Sequence, residues 1–174
     1  EHPIENCLTF APIKGAYKDC GQARAISKAG ALRILRQAEE AGLVHTLGNY
    51  RHGNSYICNC CSCCCKLLRG LVEFGQPAAV ARSRFYALLD PDLCIGCGEC
   101  YDRCQFGALS VVDEMPAIDR ARCVGCGLCA SVCPMDALRL AQRPEAEVAL
   151  PPINSEEWIK QRARARGISL AEIS

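Results

Sequence analysis

The chain has 174 residues, enough for one or two domains, and 16 of them are cysteine. Apolar residues make up 50% and charged residues 22%, which excludes a disordered acidic tail or a collagen-like repeat and leaves material for a modest core. The formal net charge of +1 counts every cysteine as neutral, no apolar run approaches the roughly 18 residues of a membrane-spanning helix, and no charged-then-apolar targeting segment opens the chain.

In chain order, Cys7 and Cys20 stand apart in a stretch without clear periodicity. Ser27 is a good N-cap for a helix that sets Ala31, Ile34, Leu35 and Ala38 on one face, and Gly42 ends it. Leu43 to His45 and Tyr56-Ile57 read as two strands joined across the turn-rich stretch from Gly48 to Asn54. A helix followed by a hairpin is similar to the second half of a winged-helix module. Six cysteines then fall within eight residues, Cys58, Cys60, Cys61, Cys63, Cys64 and Cys65. The spacing predicts further strands at Phe85–Leu89, Leu109–Val112, Pro116–Ile118 and Leu138–Leu140, with Asp113-Glu114 as a turn. Pro144 to Pro152 has linker composition, and Ser155 to Ile168 reads as an amphipathic helix carrying Trp158 and Ile159 on one side. The expected organisation is α+β in class: an N-terminal helical, winged-helix-like region over 1–66 ending in the cysteine run, a connecting helix or linker over 67–85, a cysteine-repeat module over 86–142, and a linker with a terminal helix over 143–174.

The module is a tandem repeat. Cys94, Cys97, Cys100 and Cys104 recur 29 residues later as Cys123, Cys126, Cys129 and Cys133, with Gly96 and Gly98 recurring as Gly125 and Gly127. Glycines between the cysteines suit a backbone wrapped round a ligand, and a short helical turn is expected to carry the fourth cysteine of each run. Zinc knuckles use four thiolates and no third evenly spaced cysteine, so only a pair of iron-sulfur clusters employs all eight positions.

This doubled Cys-x-x-Cys-x-x-Cys-x-x-x-Cys run resembles that of the bacterial-type 2×4Fe-4S ferredoxins, over residues 86–142. The resemblance implies a ferredoxin-like fold with a pseudo-twofold ββ/α repeat and crossed ligation: Cys94, Cys97, Cys100 and Cys133 on one 4Fe-4S cluster, and Cys123, Cys126, Cys129 and Cys104 on the second. The second run ends in the family's Cys133-Pro134, whereas Gln105 stands where the first would have proline. The whole chain resembles longer ferredoxin proteins of anaerobes, in which a helix-rich region leads into a run like Ile57 to Cys65. Similar proteins carry further cysteines just before the counterpart of Glu1, which implies that Cys7 is one ligand of a site whose other half lies outside this chain.

Extended backbone points neighbouring cysteines apart, so three or four of Cys58, Cys60, Cys61, Cys63, Cys64 and Cys65 can serve one site. That site is read as a third iron-sulfur cluster completed by Cys7 or Cys20, with zinc, a thiol or disulfide redox site and inert thiols as alternatives. His2, His45 and His52 are scattered, and nucleotide, Walker and haem motifs are missing.

These features predict a non-enzymatic electron carrier or electron-transfer subunit that passes single electrons to a redox partner docked near the clusters. Residues 91–150 hold 9 acidic against 5 basic side chains, which favours a basic partner surface. A redox-sensing winged-helix regulator binding nucleic acid through Arg24, Lys28, Arg33, Arg36 and Arg51 is a weaker alternative. Lys160, Arg162, Arg164 and Arg166 make the last helix a solvated face or a dock for a larger complex. No membrane partner is expected, and oxygen-sensitive clusters place the protein in a reducing, anaerobic cytoplasm.

Overall fold

The computed structural model of the chain describes residues 2–17, 19, 21, 23–77 and 79–169. It has a mixed α/β architecture built on three small sheets. Strand β1 (Leu8–Thr9) is followed by helix α1 (Lys28–Glu40), strands β2 (Val44–Thr46) and β3 (Tyr56–Cys60), and helix α2 (Lys66–Val72). The cysteine-repeat module then contributes β4 (Phe85–Leu89), α3 (Glu99–Arg103), β5 (Leu109–Val112), β6 (Met115–Ile118), α4 (Leu128–Ser131) and β7 (Leu138–Gln142). A 3-10 turn (Glu145–Glu147) and helix α5 (Ser155–Ala165) complete the chain.

Local chemistry accounts for the boundaries of α1. The Ser27 hydroxyl accepts the Gly30 N–H at 3.1 Å, Ala38 is fully buried, and Gly42 adopts φ +76° so that Leu43 N–H reaches back to the Ala38 carbonyl at 2.8 Å. Arg103 of α3 donates to the carbonyls of Glu39 and Glu40 at the same helix end, where the dipole favours a cation. Helix α5 stops three residues earlier than its amphipathic pattern predicts, because Gly167 at φ +65° closes it with Ile168 N–H on the Ala163 carbonyl. Its approach is tied down: the Arg51 and His52 N–H groups donate to the Pro152 and Ile153 carbonyls, both at 2.9 Å. Trp158 is half-buried, with the Arg162 guanidinium 4.7 Å from its ring centre.

In the module β4 pairs antiparallel with β7, joining the two ends of the repeat, and β5 pairs with β6 in a hairpin. Asp113 and Glu114 both take positive φ in the two-residue turn between β5 and β6, the geometry whose twist matches a hairpin. In the N-terminal region β3 is the centre of a β1-β3-β2 sheet. It runs three residues further than its hydrophobic pattern predicts, through Cys58, Asn59 and Cys60, because β2 pairs along that part of it.

Two cores hold the molecule. One lies within the module, around Ala87, Cys100, Ala108, Cys123, Cys129 and Leu138. The other joins Val44 and Leu68 of the N-terminal region to Phe106 and Leu128 of the module. Burying Leu68 and Phe106 side chains at this seam is worth about 1.5–3 kcal/mol each. Among the described residues no helix is long and apolar enough to cross a membrane.

Candidate metal centres

Each half of the repeat wraps a loop before a short helix. Gly98 and Gly127, at φ +84° and +88°, are the N-caps of α3 and α4, so the chain enters both helices through the same left-handed step. The third cysteine of each run, Cys100 or Cys129, sits inside the helix and is buried. The fourth, expected on the helical turn, falls just past it: Cys104 is the C-cap of α3, and Cys133 follows α4 by two residues. Each helix is too short to carry both the third and the fourth cysteine of its run, and the fourth falls where the helix ends.

Cys94, Cys97, Cys100 and Cys133 line one open concavity, together with Leu89, Ile95, Pro116, Met135 and Leu138. Three of these thiols come from the first run and one from the second. Burial raises the Cys100 thiol, and the charges of Cys97, Cys94 and Cys133 act in the same direction. At Cys133 burial works upward, but backbone N–H groups of Leu138, Met135 and Ala137 together bring the thiol below its ordinary value. Those donors favour the thiolate that a metal requires.

The complementary four also interact. Burial pushes Cys129 up to about 12, with the charges of Cys126, Cys104 and Cys123 adding to it. Burial likewise raises Cys126, where a Leu128 N–H opposes the charges of Cys104 and Cys123. Backbone donors reach these sulfurs too, Ala108 N–H to Cys104 at 3.3 Å and Ala87 N–H to Cys123 at 3.5 Å. The surroundings of the two foursomes differ. Cys97 of the first is exposed, whereas Cys104 and Cys126 of the second pack against the core seam with Cys60 and Cys65 of the N-terminal run.

Two residues outside the cysteine pattern position the second foursome. Arg143, whose side chain is 2% exposed, donates to the Cys123 carbonyl at 2.6 Å and is braced by Glu147 at 3.7 Å. Gln105, the residue that departs from the ferredoxin pattern, accepts the Ser62 N–H at 2.6 Å and donates to the Gly42 carbonyl. It therefore fastens the end of α1 and the middle of the cysteine run to the backbone beside Cys104. The unusual residue at 105 was visible in the sequence; its two partners, 43 and 63 residues away, were not.

Within the run, Cys61 and Cys63 are bonded as a disulfide, Cys64 is exposed, and Cys58, Cys60 and Cys65 are half-buried free thiols. Exposed Cys7 lies beside Cys58, whose thiol is raised by burial and then by the charges of Cys7 and Cys65. Cys20 lies outside the described residues. Of the three histidines, His2 falls with Cys61 and Cys63, the three ligating atoms lying within 4.8 Å of one another, but there both sulfurs are bonded to each other.

All-thiol donor sets gathered in fours, with buried walls and backbone N–H groups directed at sulfur, fit iron-sulfur clusters. No curated protein matches the chain. A family model described as a 4Fe-4S dicluster domain matches residues 87–140, under a third of the chain. That domain indicates 4Fe-4S clusters and associates this part of the protein with iron-sulfur electron transfer.

Proposed function

We propose that the protein is an electron carrier or electron-transfer subunit whose module holds two 4Fe-4S clusters. Cys94, Cys97, Cys100 and Cys133 hold one, and Cys123, Cys126, Cys129 and Cys104 hold the other. The observation that carries the reading is the single concavity lined by three thiols of the first run and Cys133 of the second, since crossed sharing of this kind is what the doubled motif calls for. When bound, such clusters accept and release single electrons.

The chain's own contribution is to bind, to shield and to tune. Backbone N–H groups on Cys133, Cys104 and Cys123 withdraw electron density from sulfur and so favour the reduced state. Ile95 and Met135, which are 64% and 44% exposed, line the first site beside exposed Cys97. A redox partner docks there in this proposal. A 2+ core with four thiolates leaves each loaded site at about −2, which adds to the acidic excess of residues 91–150 and calls for a basic partner face.

The test is anaerobic iron and acid-labile sulfide analysis with EPR of the reduced protein. Cys97→Ser and Cys126→Ser should each remove about four irons and a different part of the spectrum. Loss of both signals together in Cys97→Ser, or no loss in either variant, would refute the assignment.

A further inference from the structure

Four thiols outside the module lie near one another, and two of them, Cys60 and Cys65, pack on the core that also holds Cys104 and Cys126. Cys58 and Cys60 lie two residues apart on β3, hence on one face of it. The β1–β3 register pairs Leu8 with Ile57, and one more residue of that register sets Cys7 opposite Cys58. Buried Asn59 holds this arrangement from the other face, donating to the Asn6 carbonyl while its side-chain oxygen is hydrogen-bonded to His45 Nδ1 at 2.5 Å. The chain then turns, with Cys65 N–H on the Cys61 carbonyl at 3.2 Å, and brings Cys65 back beside Cys60 against Val44 and Leu68. Electrostatics report the same proximity: burial pushes Cys60 up to about 12, and the charges of Cys65, Cys58 and Cys7 add to it.

We infer that Cys7, Cys58, Cys60 and Cys65 form a third metal centre, a four-thiolate iron-sulfur site seated against the site of Cys104, Cys123, Cys126 and Cys129. The structure separates these four from the rest of the run, since Cys61 and Cys63 are bonded to each other and the Cys64 sulfur lies 3.6 Å from that of Cys63. Spacing selects the ligand. A single zinc ion with Zn–S near 2.3 Å draws its sulfurs to about 3.8 Å from one another. Among the described residues the triad within 4.8 Å is His2, Cys61 and Cys63, and it includes none of these four. By the same measure no three of the thiols lining the concavity of the first site lie within 4.8 Å of one another either, and a polynuclear core spans sulfurs set further apart than a single ion does.

Position gives the centre its role. Cys60 and Cys65 pack against the same core side chains as Cys104 and Cys126, and Gln105 links the residue after Cys104 to Ser62 in the run. The third centre therefore extends the pair of sites into the N-terminal region. That role rests on the two-cluster reading above; metal binding by these four thiols does not.

The experiment uses the full chain, reconstituted anaerobically with iron and sulfide, and measures iron, sulfide and zinc per chain together with EPR. Wild type should carry about twelve irons, Cys7→Ser and Cys60→Ser about eight, and Cys64→Ser about twelve. Cys7 is exposed, so its substitution reads ligation without disturbing the core, and circular dichroism checks the fold of the Cys60 variant. About eight irons in wild type and Cys7→Ser alike would overturn the inference and leave the two-cluster reading standing. Equal iron loss in Cys64→Ser, or one zinc per chain that disappears in Cys60→Ser, would also overturn it. About four irons lost with Cys60 but retained in Cys126→Ser and Cys97→Ser would sustain it and remove the two-cluster reading instead.

Discussion

Replacing Gln105 by leucine keeps a side chain of similar size and removes both of its hydrogen bonds. The Ser62 N–H loses the acceptor 2.6 Å away and the Gly42 carbonyl loses its donor. Two neutral hydrogen bonds contribute about 1 kcal/mol each, so the attachment of the N-terminal region weakens by about 2 kcal/mol. That is roughly a 30-fold rise in the local opening constant at a ratio of about 1.4 kcal/mol per tenfold. Hydrogen exchange on the loaded protein reads it directly: amides of α1, β2, β3 and the 58–65 run should exchange about 30-fold faster, while β4 and β7 keep their protection. Gln105→Glu keeps an acceptor for Ser62 but sets a carboxylate against the Gly42 carbonyl, and should be at least as damaging. Unchanged exchange in α1 and β3, or an equal rise throughout the module, would refute the claim that residue 105 fastens one region to the other.

The two loop glycines offer a matched pair. A Cβ at Gly125 would overlap the Phe85 carbonyl of β4, whereas at Gly96 the nearest atom is the Glu114 carbonyl oxygen at 3.4 Å. Both residues have positive φ, so Gly96→Ala should cost about 1–2 kcal/mol in denaturant midpoint terms, and Gly125→Ala several-fold more, with loss of iron from the second site; equal effects would contradict the close approach. Glu114→Gly should stabilise the β5–β6 hairpin by about 0.5–1 kcal/mol, seen as a higher melting temperature of the loaded protein. Loading should depend on pH. Cys60 and Cys129 are pushed from 9.0 up to about 12, so the metal-free fold holds their protons and its stability from that source falls as pH rises from about 9 towards 12. The loaded form has already released them. Chelator competition should therefore show affinity climbing with pH through and beyond 9, and a plateau at 9 would show that these thiols are not ligands.

Where a signal is local, the sequence carries it. Ser27 and Gly42 bound α1 because capping needs only neighbouring backbone groups, and β4 and β5 begin and end as their composition indicates. The 29-residue repeat picks out the eight module cysteines by spacing alone, and the fold gathers their thiols in two foursomes. A cysteine-rich site in the N-terminal region is expected from the sequence, but which thiols gather there is not legible, for the opposite reason. Six cysteines in eight residues offer too many sets of four, and the choice among them depends on a two-residue strand, β1, whose pairing with β3 is tertiary. Arg143 gave no signal either: a lone arginine after a strand looks solvated, yet this one is buried because the Cys123 carbonyl and Glu147 are both within reach.

The two foursomes of thiols in the module sit in unlike surroundings. A symmetrical duplication would expose both sites alike, and in a module standing alone either could meet a partner. Here the N-terminal region covers only one. Leu68 and Val44 close over the side chains beside Cys104 and Cys126, and Arg103 and Gln105 bind the backbone of α1 and its exit. The residues that hold the cover flank Cys104 on either side, and where the first repeat has Gln105 the second has Pro134, followed by exposed Met135. Divergence of the first repeat at 105 thus trades a rigid turn for an attachment point, and the attachment brings Cys60 and Cys65 to the covered site. Under the proposed function, exposed Cys97 is where a partner would dock, and the covered foursome lies toward the centre inferred in the N-terminal region.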